Sequence, residues 1–518
     1  MRSPTRGHWS PAAGRLRPMR FRPGAHKTPT VMRCQKLFSI IRSLLFLLLL
    51  SSGLSPIARA APMDDLPMLG DASSGIVSRE MEARIGEDFM RQIRAQLPTH
   101  GDTLLIYWME QLLFDLAAAS DLRDPTLHLV MVDSGQINAF AAPGGIVGIN
   151  LGNFVAGQTV HEFAAIVAHE LAHLSQRHFA RGIEAQQRMT LPYVAAMIAS
   201  AAIMATVGAD AGMAAMASSQ AAMQDSMLRY SRAREREADR VGIETMHRAG
   251  MDPWAMAGMF ERMSRAARFS RRPPEFLLTH PVTESRIADA RDRASQYPRQ
   301  TFPDTLDYQL MRARVQLHLA ESASDMATTF RVQLEEGRTG FPDAARYGLA
   351  LTQLRLGRLE EAAATLAPLV EAEPYRIAYA LAEVDIQLER GLTDQAIASL
   401  ERKLQLNPGN LPLTMAYAQA LNRAQRHLEA QTVLARLAIQ RPSDAQVWYE
   451  LAETAGLAGD IVAVHRARAE YFQLHGNLQH ALQHLQYALQ LVTDNYPLTA
   501  RLNQRVQDIR EIRQRIAG

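Results

Sequence analysis

Residues 166–173 read IVAHELAH, and two histidines four residues apart inside an apolar run set the first expectation. On a helix, His169 and His173 stand one above the other on the same face. Two imidazoles so placed can share one tetrahedral zinc ion. Glu170 follows the first histidine and would sit beside the metal's open position. There its carboxylate can take a proton from water and later pass it to a leaving amine. Phe163, Ile166, Val167 and Leu171 are apolar, as a buried helix requires. A long helix over residues 160–184 is expected to carry the motif, with one zinc ion per chain.

The segments before it read as two helices and a small sheet. Helical periodicity runs over residues 78–97 and 104–119, and LHLVMV at 127–132 is a strand-like run. Residues 137–140 and 146–150 are further strand candidates around Pro143, Gly144 and Gly145, which supply a hairpin-like turn. After the motif, residues 191–222 are rich in Ala and Met. Their apolar run is broken by Gly208, Asp210 and Gly212, so neither half reaches the ~20 residues that span a bilayer. This reads as a helical hairpin, either buried as core or resting on a membrane surface. A helix over 227–249 should follow, ending at Gly250 before Pro253.

A third zinc ligand is needed. Gln176 and Phe179 stand where a metzincin needs Gly and His. Glu184 lies eleven residues past His173 and continues the same expected helix, so it cannot fold back on the metal. SRAREREAD at 231–239 offers Glu235 and Asp239 one turn apart. Glu235 could ligate while Asp239 holds a ligand histidine by its other ring nitrogen. Spacing alone leaves Glu237 and Glu244 competing, and a charged solvated face is equally open. His161 and His178 flank the motif out of phase with the ligand pair, so surface or core roles are expected of them.

HELAHLSQRH at 169–178, YSRAREREADRVG at 230–242 and LLTHPVTESRI at 277–287 together resemble the HtpX and CaaX-prenyl-protease family of zinc endopeptidases. The resemblance covers roughly residues 75–295. It implies Glu235 as third ligand and Asp239 as its supporting aspartate. It also implies that His280, in the His280-Pro281 pair with Arg286 six residues on, faces the active site, to stabilise an oxyanion or close the metal. INAFAAPGGIVGIN at 137–150 resembles the family's strand and hairpin before the catalytic helix. Asn138, Ala139 and Phe140 would then form an edge that pairs with substrate backbone.

Beyond residue 305 the pattern is helical and repeats. Pro374, Pro408 and Pro442 recur every 34 residues, as do Ala362, Ala396 and Ala430, while Gly357 and Gly391 keep the same step. A 34-residue period is the tetratricopeptide signature: helix pairs that bury their apolar faces only by stacking. The expected fold class is α+β, a mostly helical peptidase domain at 61–300 with a small sheet, then an all-α solenoid at 301–518 capped by helices after Asn477. Histidines 427, 465, 475, 480 and 484 show no ligand spacing.

Charge and the first 60 residues bound the setting. The net charge of +3 is carried by a leader: residues 1–60 hold 11 Lys/Arg and no acid, and without them 45 basic residues face 53 acidic. No strong basic field remains to meet phosphate, which excludes a nucleic-acid partner. Basic residues, the apolar run 44–50 and small residues to Ala60 follow the design of a secretory signal cleaved after Ala60. The one cysteine, Cys34, precedes that run, so neither disulfides nor thiol catalysis are expected in a mature chain. Family members such as HtpX carry transmembrane helices, which this chain lacks. Its order of leader, peptidase and repeats resembles exported members of the class. That implies a periplasmic protein whose repeats engage outer-membrane β-barrel proteins and their assembly machinery, as protease and chaperone. The alternative is a mainly non-proteolytic scaffold in which His280 closes a regulatory zinc site.

Overall fold

The computed structural model describes residues 77–206, 209–269, 274–337, 339–492 and 494–517. The leader, Cys34 and the expected cleavage point lie outside them. The described chain is mostly helical, with one three-stranded sheet, an α+β fold.

The sheet is β1 (His128–Val132), β2 (Ala139–Ala142) and β3 (Ile146–Asn150), in the order β1-β3-β2. β3 is buried throughout and pairs in parallel with β1 (Leu129 opposite Val147) and antiparallel with β2 (Phe140 opposite Gly148). Alternation sends Ile146 towards Met90 and Ile93 of α1 (Arg79–Gln96), and Val147 and Ile149 into the main core. Gly148 is required here: the Phe140 ring covers it, and an added Cβ would stand 2.1 Å from the ring carbon Cζ. β2 begins at Ala139, two residues later than the strand expected at 137–140.

Helices α2 (Thr103–Ala119) and α3 (Gly152–Ala156) precede α4 (Val160–Ser175), which carries the motif. Thr159 caps α4 by accepting from the Glu162 N–H. Every residue of α4 from Val160 to Ala172 is buried except Glu162, so His169 lies in a low-dielectric interior, while His173 is half-buried at the cleft. The expected single helix over 160–184 is a misreading: the chain breaks at Arg177, whose φ is 50°, and α5 (His178–Thr206) starts afresh. Arg177 is held in place by Glu82 at 2.9 Å and the Val77 carbonyl at 2.7 Å.

α6 (Ala209–Arg248) packs along α5 and runs 40 residues, starting well before the expected 227 and passing through Gly212. It ends as expected at Gly250, whose φ is 71°. The α5–α6 hairpin exposes Val194, Ile198 and Met213, which excludes the fully buried version of that segment. Among the described residues no helix is long and apolar enough to cross a membrane. α7 (Ala255–Phe269), α8 (Phe276–Thr279) and α9 (Glu284–Ala294) complete the packing around α4 and α6.

From α10 (Leu306–Leu319) onward the chain is a stack of helix pairs. The second helices of four successive pairs start at Leu359, Thr393, His427 and Ile461, every 34 residues. Ala362, Ala396 and Ala430 are fully buried where paired helices approach. The turns between paired helices need a left-handed residue, supplied by Gly357, Gly391 and Gly459, with φ of 73°, 77° and 79°, and by Gln425, with φ 61°. Helices Leu478–Leu491 and Tyr496–Ala517 close the stack, as expected. One buried core runs from Leu104 through the sheet to Ala467. Tyr308 of α10 anchors the junction: its hydroxyl donates to the Gly157 carbonyl at 3.0 Å and its ring packs on Phe154, Phe163 and Trp108.

Candidate metal centre

α4 and α6 cross so closely at Gly242 that an added Cβ would lie 3.2 Å from the His169 backbone nitrogen. That crossing sets Glu235 of α6 opposite the two motif histidines. His169 Nε2 is 3.1 Å from His173 Nε2 and 3.4 Å from Glu235 Oε2; His173 Nε2 is 3.6 Å from Glu235 Oε1. Zinc bonds of about 2.0–2.2 Å set donor-to-donor edges of about 3.3–3.6 Å in a tetrahedron, close to these spacings. His280, at the end of α8, adds Nδ1 at 3.4 Å from His169 Nε2 and 3.0 Å from Glu235 Oε2. The four donors lie within 4.8 Å of one another. The donor set of imidazoles and a carboxylate suits zinc.

Each motif histidine has a polar neighbour at its far nitrogen. His169 Nδ1 lies 3.0 Å from Asp239 Oδ1, which leaves Nε2 free for a metal. Arg286 in turn grips Asp239 through two bonds of 2.7 Å, and its third nitrogen is 3.1 Å from Glu235. His173 Nδ1 meets His178 Nδ1 at 2.8 Å, and His178 Nε2 meets Glu237 Oε2 at 3.2 Å. With both rings neutral, His173 donates to His178 and His178 donates to Glu237. This relay is absent from the sequence reading, which placed His178 as a surface or core residue and Glu237 as a rival ligand. His178 is buried, and the break at Arg177 is what turns it back onto His173.

The field of the site favours a cation. Burial opposes charge on His169, yet Asp239 and Glu235 hold its imidazole up at about 9. Burial acts against the Glu235 anion as well, but His169 and His280 keep it well below the usual carboxylate range. Burial, and then the neighbouring His169, push His173 well below its ordinary value. Glu170 is fully buried beside the cluster, with both carboxylate oxygens lacking a hydrogen-bond partner among the described residues; Oε1 is 3.6 Å from His280 Nε2. Two unpartnered carboxylate oxygens next to four convergent donors fit a bound metal and water.

A cleft of about 440 Å³ opens onto Glu170, His173, Glu235 and His280, and its other wall is Phe140, Ala141, Ala142 and the Pro143–Gly145 turn. β2 is an edge strand, so this wall is free to accept a further strand. Of the three residues expected at that edge, Phe140 lines the cleft. Asn138 and Ala139 do not: Asn138 reaches Glu275 at 3.3 Å, and Ala139 is buried opposite Ile149. The edge is offset two residues along the chain.

Comparison with known proteins gives the family of the chain. Residues 106–294 match the profile of peptidase family M48, and residues 387–453 match a tetratricopeptide repeat. The chain is 32% identical over 461 residues to the beta-barrel assembly-enhancing protease of Escherichia coli (strain K12), covering 88% of this chain and 94% of the relative. It is 33% identical over 476 residues to the putative beta-barrel assembly-enhancing protease of Vibrio cholerae serotype O1, covering 92% and 98%. A match of 28% over 216 residues to the mitochondrial metalloendopeptidase OMA1 of Schizosaccharomyces pombe covers 41% of this chain and 60% of that one. The chain belongs to metallopeptidase family M48, alongside the beta-barrel assembly-enhancing proteases to which it is similar over most of its length, and it carries tetratricopeptide repeats after its peptidase region.

Proposed function

We propose that this chain is a zinc-dependent endopeptidase in which His169, His173 and Glu235 hold one zinc ion and Glu170 moves the proton. The observation that carries the reading is the pair of buried, unpartnered Glu170 oxygens beside the donor cluster, facing a cleft walled by an edge strand. Zinc supplies Lewis-acid polarisation of a peptide carbonyl and acidifies water. Substrate backbone adds to the edge of β2 at Phe140–Ala142, in the manner of a further strand. Glu170 takes the proton of the attacking water and returns it to the leaving amine. Asp239, held by Arg286, orients His169, and the burial of α4 keeps bulk water away from the proton transfer.

The relatives named for enhancing β-barrel assembly support a matching role here: action on outer-membrane β-barrel proteins, degrading misassembled ones. The repeats then engage substrates or their assembly machinery, with a peptidase domain at 61–300 and a repeat domain at 301–518. The leader pattern of residues 1–60 supports export to the periplasm, and the exposed Val194, Ile198 and Met213 support peripheral membrane contact through residues 191–222. One observation favours the scaffold reading: His280 Nδ1 stands within ligand distance of the other donors and would complete a closed four-ligand site.

Glu170→Gln decides between the readings. Loss of peptide cleavage with zinc content and folding unchanged is expected. Wild-type cleavage by that variant would remove the mechanism. Failure of wild-type chain to cleave any unfolded β-barrel protein would favour the scaffold.

A further inference from the structure

A second cluster of ligating side chains lies away from the cleft, where the peptidase region meets the first repeat helix. His100, Asp133 and His318 each offer one ligand atom within 4.8 Å of the others. His318 Nε2 is 2.8 Å from Asp133 Oδ1, His100 Nδ1 is 4.0 Å from Asp133 Oδ2, and the imidazole rings stand 4.5 Å apart at 65°.

The backbone fixes this placement. Thr99 bridges Val132 in antiparallel fashion, His100 N–H donates to the Met131 carbonyl and Asp133 N–H to the Pro98 carbonyl, both at 2.8 Å. Those bonds present His100 and Asp133 side by side. His318 comes from the last turn of α10. Asp102, a carboxylate that neighbours His100, is committed elsewhere: it accepts from Arg314 and caps α2 through the Leu104 and Leu105 N–H groups. The side chains of Asp133 and His318 are 34% and 40% exposed, so the cluster is open to solvent on one side.

We infer that His100, Asp133 and His318 form a second site for a divalent transition-metal ion such as zinc, binding the repeat solenoid to the peptidase region. Two imidazoles and one carboxylate are the donor set that borderline cations take, and a fourth position remains for water. Binding exchanges the His318–Asp133 hydrogen bond for bonds to the ion and draws His100 inward by about half an ångström, from 4.0 Å to a tetrahedral edge. Because two ligands precede the repeats and one lies within them, the ion ties together segments that are 185 residues apart in sequence.

The test is zinc stoichiometry by elemental analysis, on the full purified chain dialysed against excess zinc and then freed of unbound metal. The expected counts are two ions in the wild type, one in His318→Ala, one in Asp133→Asn, and one in the double variant His169→Ala/His173→Ala. A single ion that leaves with the double variant and is untouched by His318→Ala overturns the second site. A single ion that survives the double variant and leaves with His318→Ala establishes it, and removes the cleft reading instead. A melting measurement guards against misfolding. Zinc should raise the melting temperature of the double variant, and adding His318→Ala should abolish that rise. No zinc-dependent rise in the double variant also overturns the proposal.

Discussion

Replacing His178 by alanine tests whether the Glu237–His178–His173 relay supports the metal centre or merely fills space. The His178 side chain is 3% exposed, and its Nδ1 is the partner of the His173 Nδ1–H. Glu237 loses less, because it keeps Arg181 at 3.1 Å. The variant therefore strands one buried donor on His173. A stranded buried donor costs about 1–3 kcal/mol, and loss of a partner behind a metal ligand typically weakens binding about 10- to 100-fold. The two figures agree, since about 1.4 kcal/mol is tenfold. The zinc dissociation constant of His178→Ala should thus rise about 10- to 100-fold, read by competition with a chromogenic chelator. His178→Gln returns an acceptor to the same place and should recover part of the loss. At saturating zinc, cleavage by His178→Ala should recover towards wild type. An unchanged zinc affinity in a folded His178→Ala protein would refute the relay and leave His178 as a packing residue.

Three further outcomes test the fold around the site. Asp385 lies in a polar cavity beside Arg314; burial pushes its carboxyl up to about 6, more than Arg314 pulls it down. A raised acid contributes stability below pH 4 that is lost as pH rises through 6, at most about 3 kcal/mol. Urea unfolding should therefore show Asp385→Asn equal to wild type near pH 4 and more stable at pH 7.5, and equality at both would refute it. Gln425 holds a left-handed turn where the other repeats place glycine, so Gln425→Gly should raise stability by about 0.5–1 kcal/mol in the same assay despite losing an exposed contact to His427. Gly242→Ala presses a methyl against the buried backbone of His169, and should cost about 1–3 kcal/mol and lower zinc affinity, measured by melting and by chelator competition.

The proposed metal centre was legible where its chemistry is local. His169 and His173 read as a pair from helical spacing, whereas Glu235 and Asp239 were singled out only by the family resemblance. Glu235 and Glu237 could not be separated by spacing, because both turn out to face a histidine: Glu235 meets His169 and His280, Glu237 meets His178. The break at Arg177 was illegible because no glycine or proline marks it. Its cause is an anchor to Glu82, 95 residues earlier. The extension of α6 through Gly212 has the same character. A helical glycine costs only about 1 kcal/mol, and packing along α5 overrides it. The repeats were legible because their signature residues have fixed duties: alanine where paired helices touch, glycine where the turn is left-handed.

The repeats are not a free-standing appendage. Tyr308, Arg314 and Arg441 reach Gly157, Asp102 and Glu110, so the first and fourth helix pairs are both fastened to the peptidase region. Those contacts occupy part of the surface that stacked repeats could offer to a peptide. A polar cavity of about 650 Å³ remains, lined by Asp102, Arg314, Asp385 and Arg423, and it shares no lining residue with the metal cleft. On the proposed function, a protein segment held in that cavity would leave the cleft unfilled, so docking by the repeats and cleavage at Glu170 could be lost separately. Substitutions at Arg423 should then change which proteins are captured while leaving hydrolysis of a short peptide untouched, whereas Glu170→Gln should do the reverse. A variant at Arg423 that slowed short-peptide hydrolysis with zinc content intact would mean that the two cavities work as one.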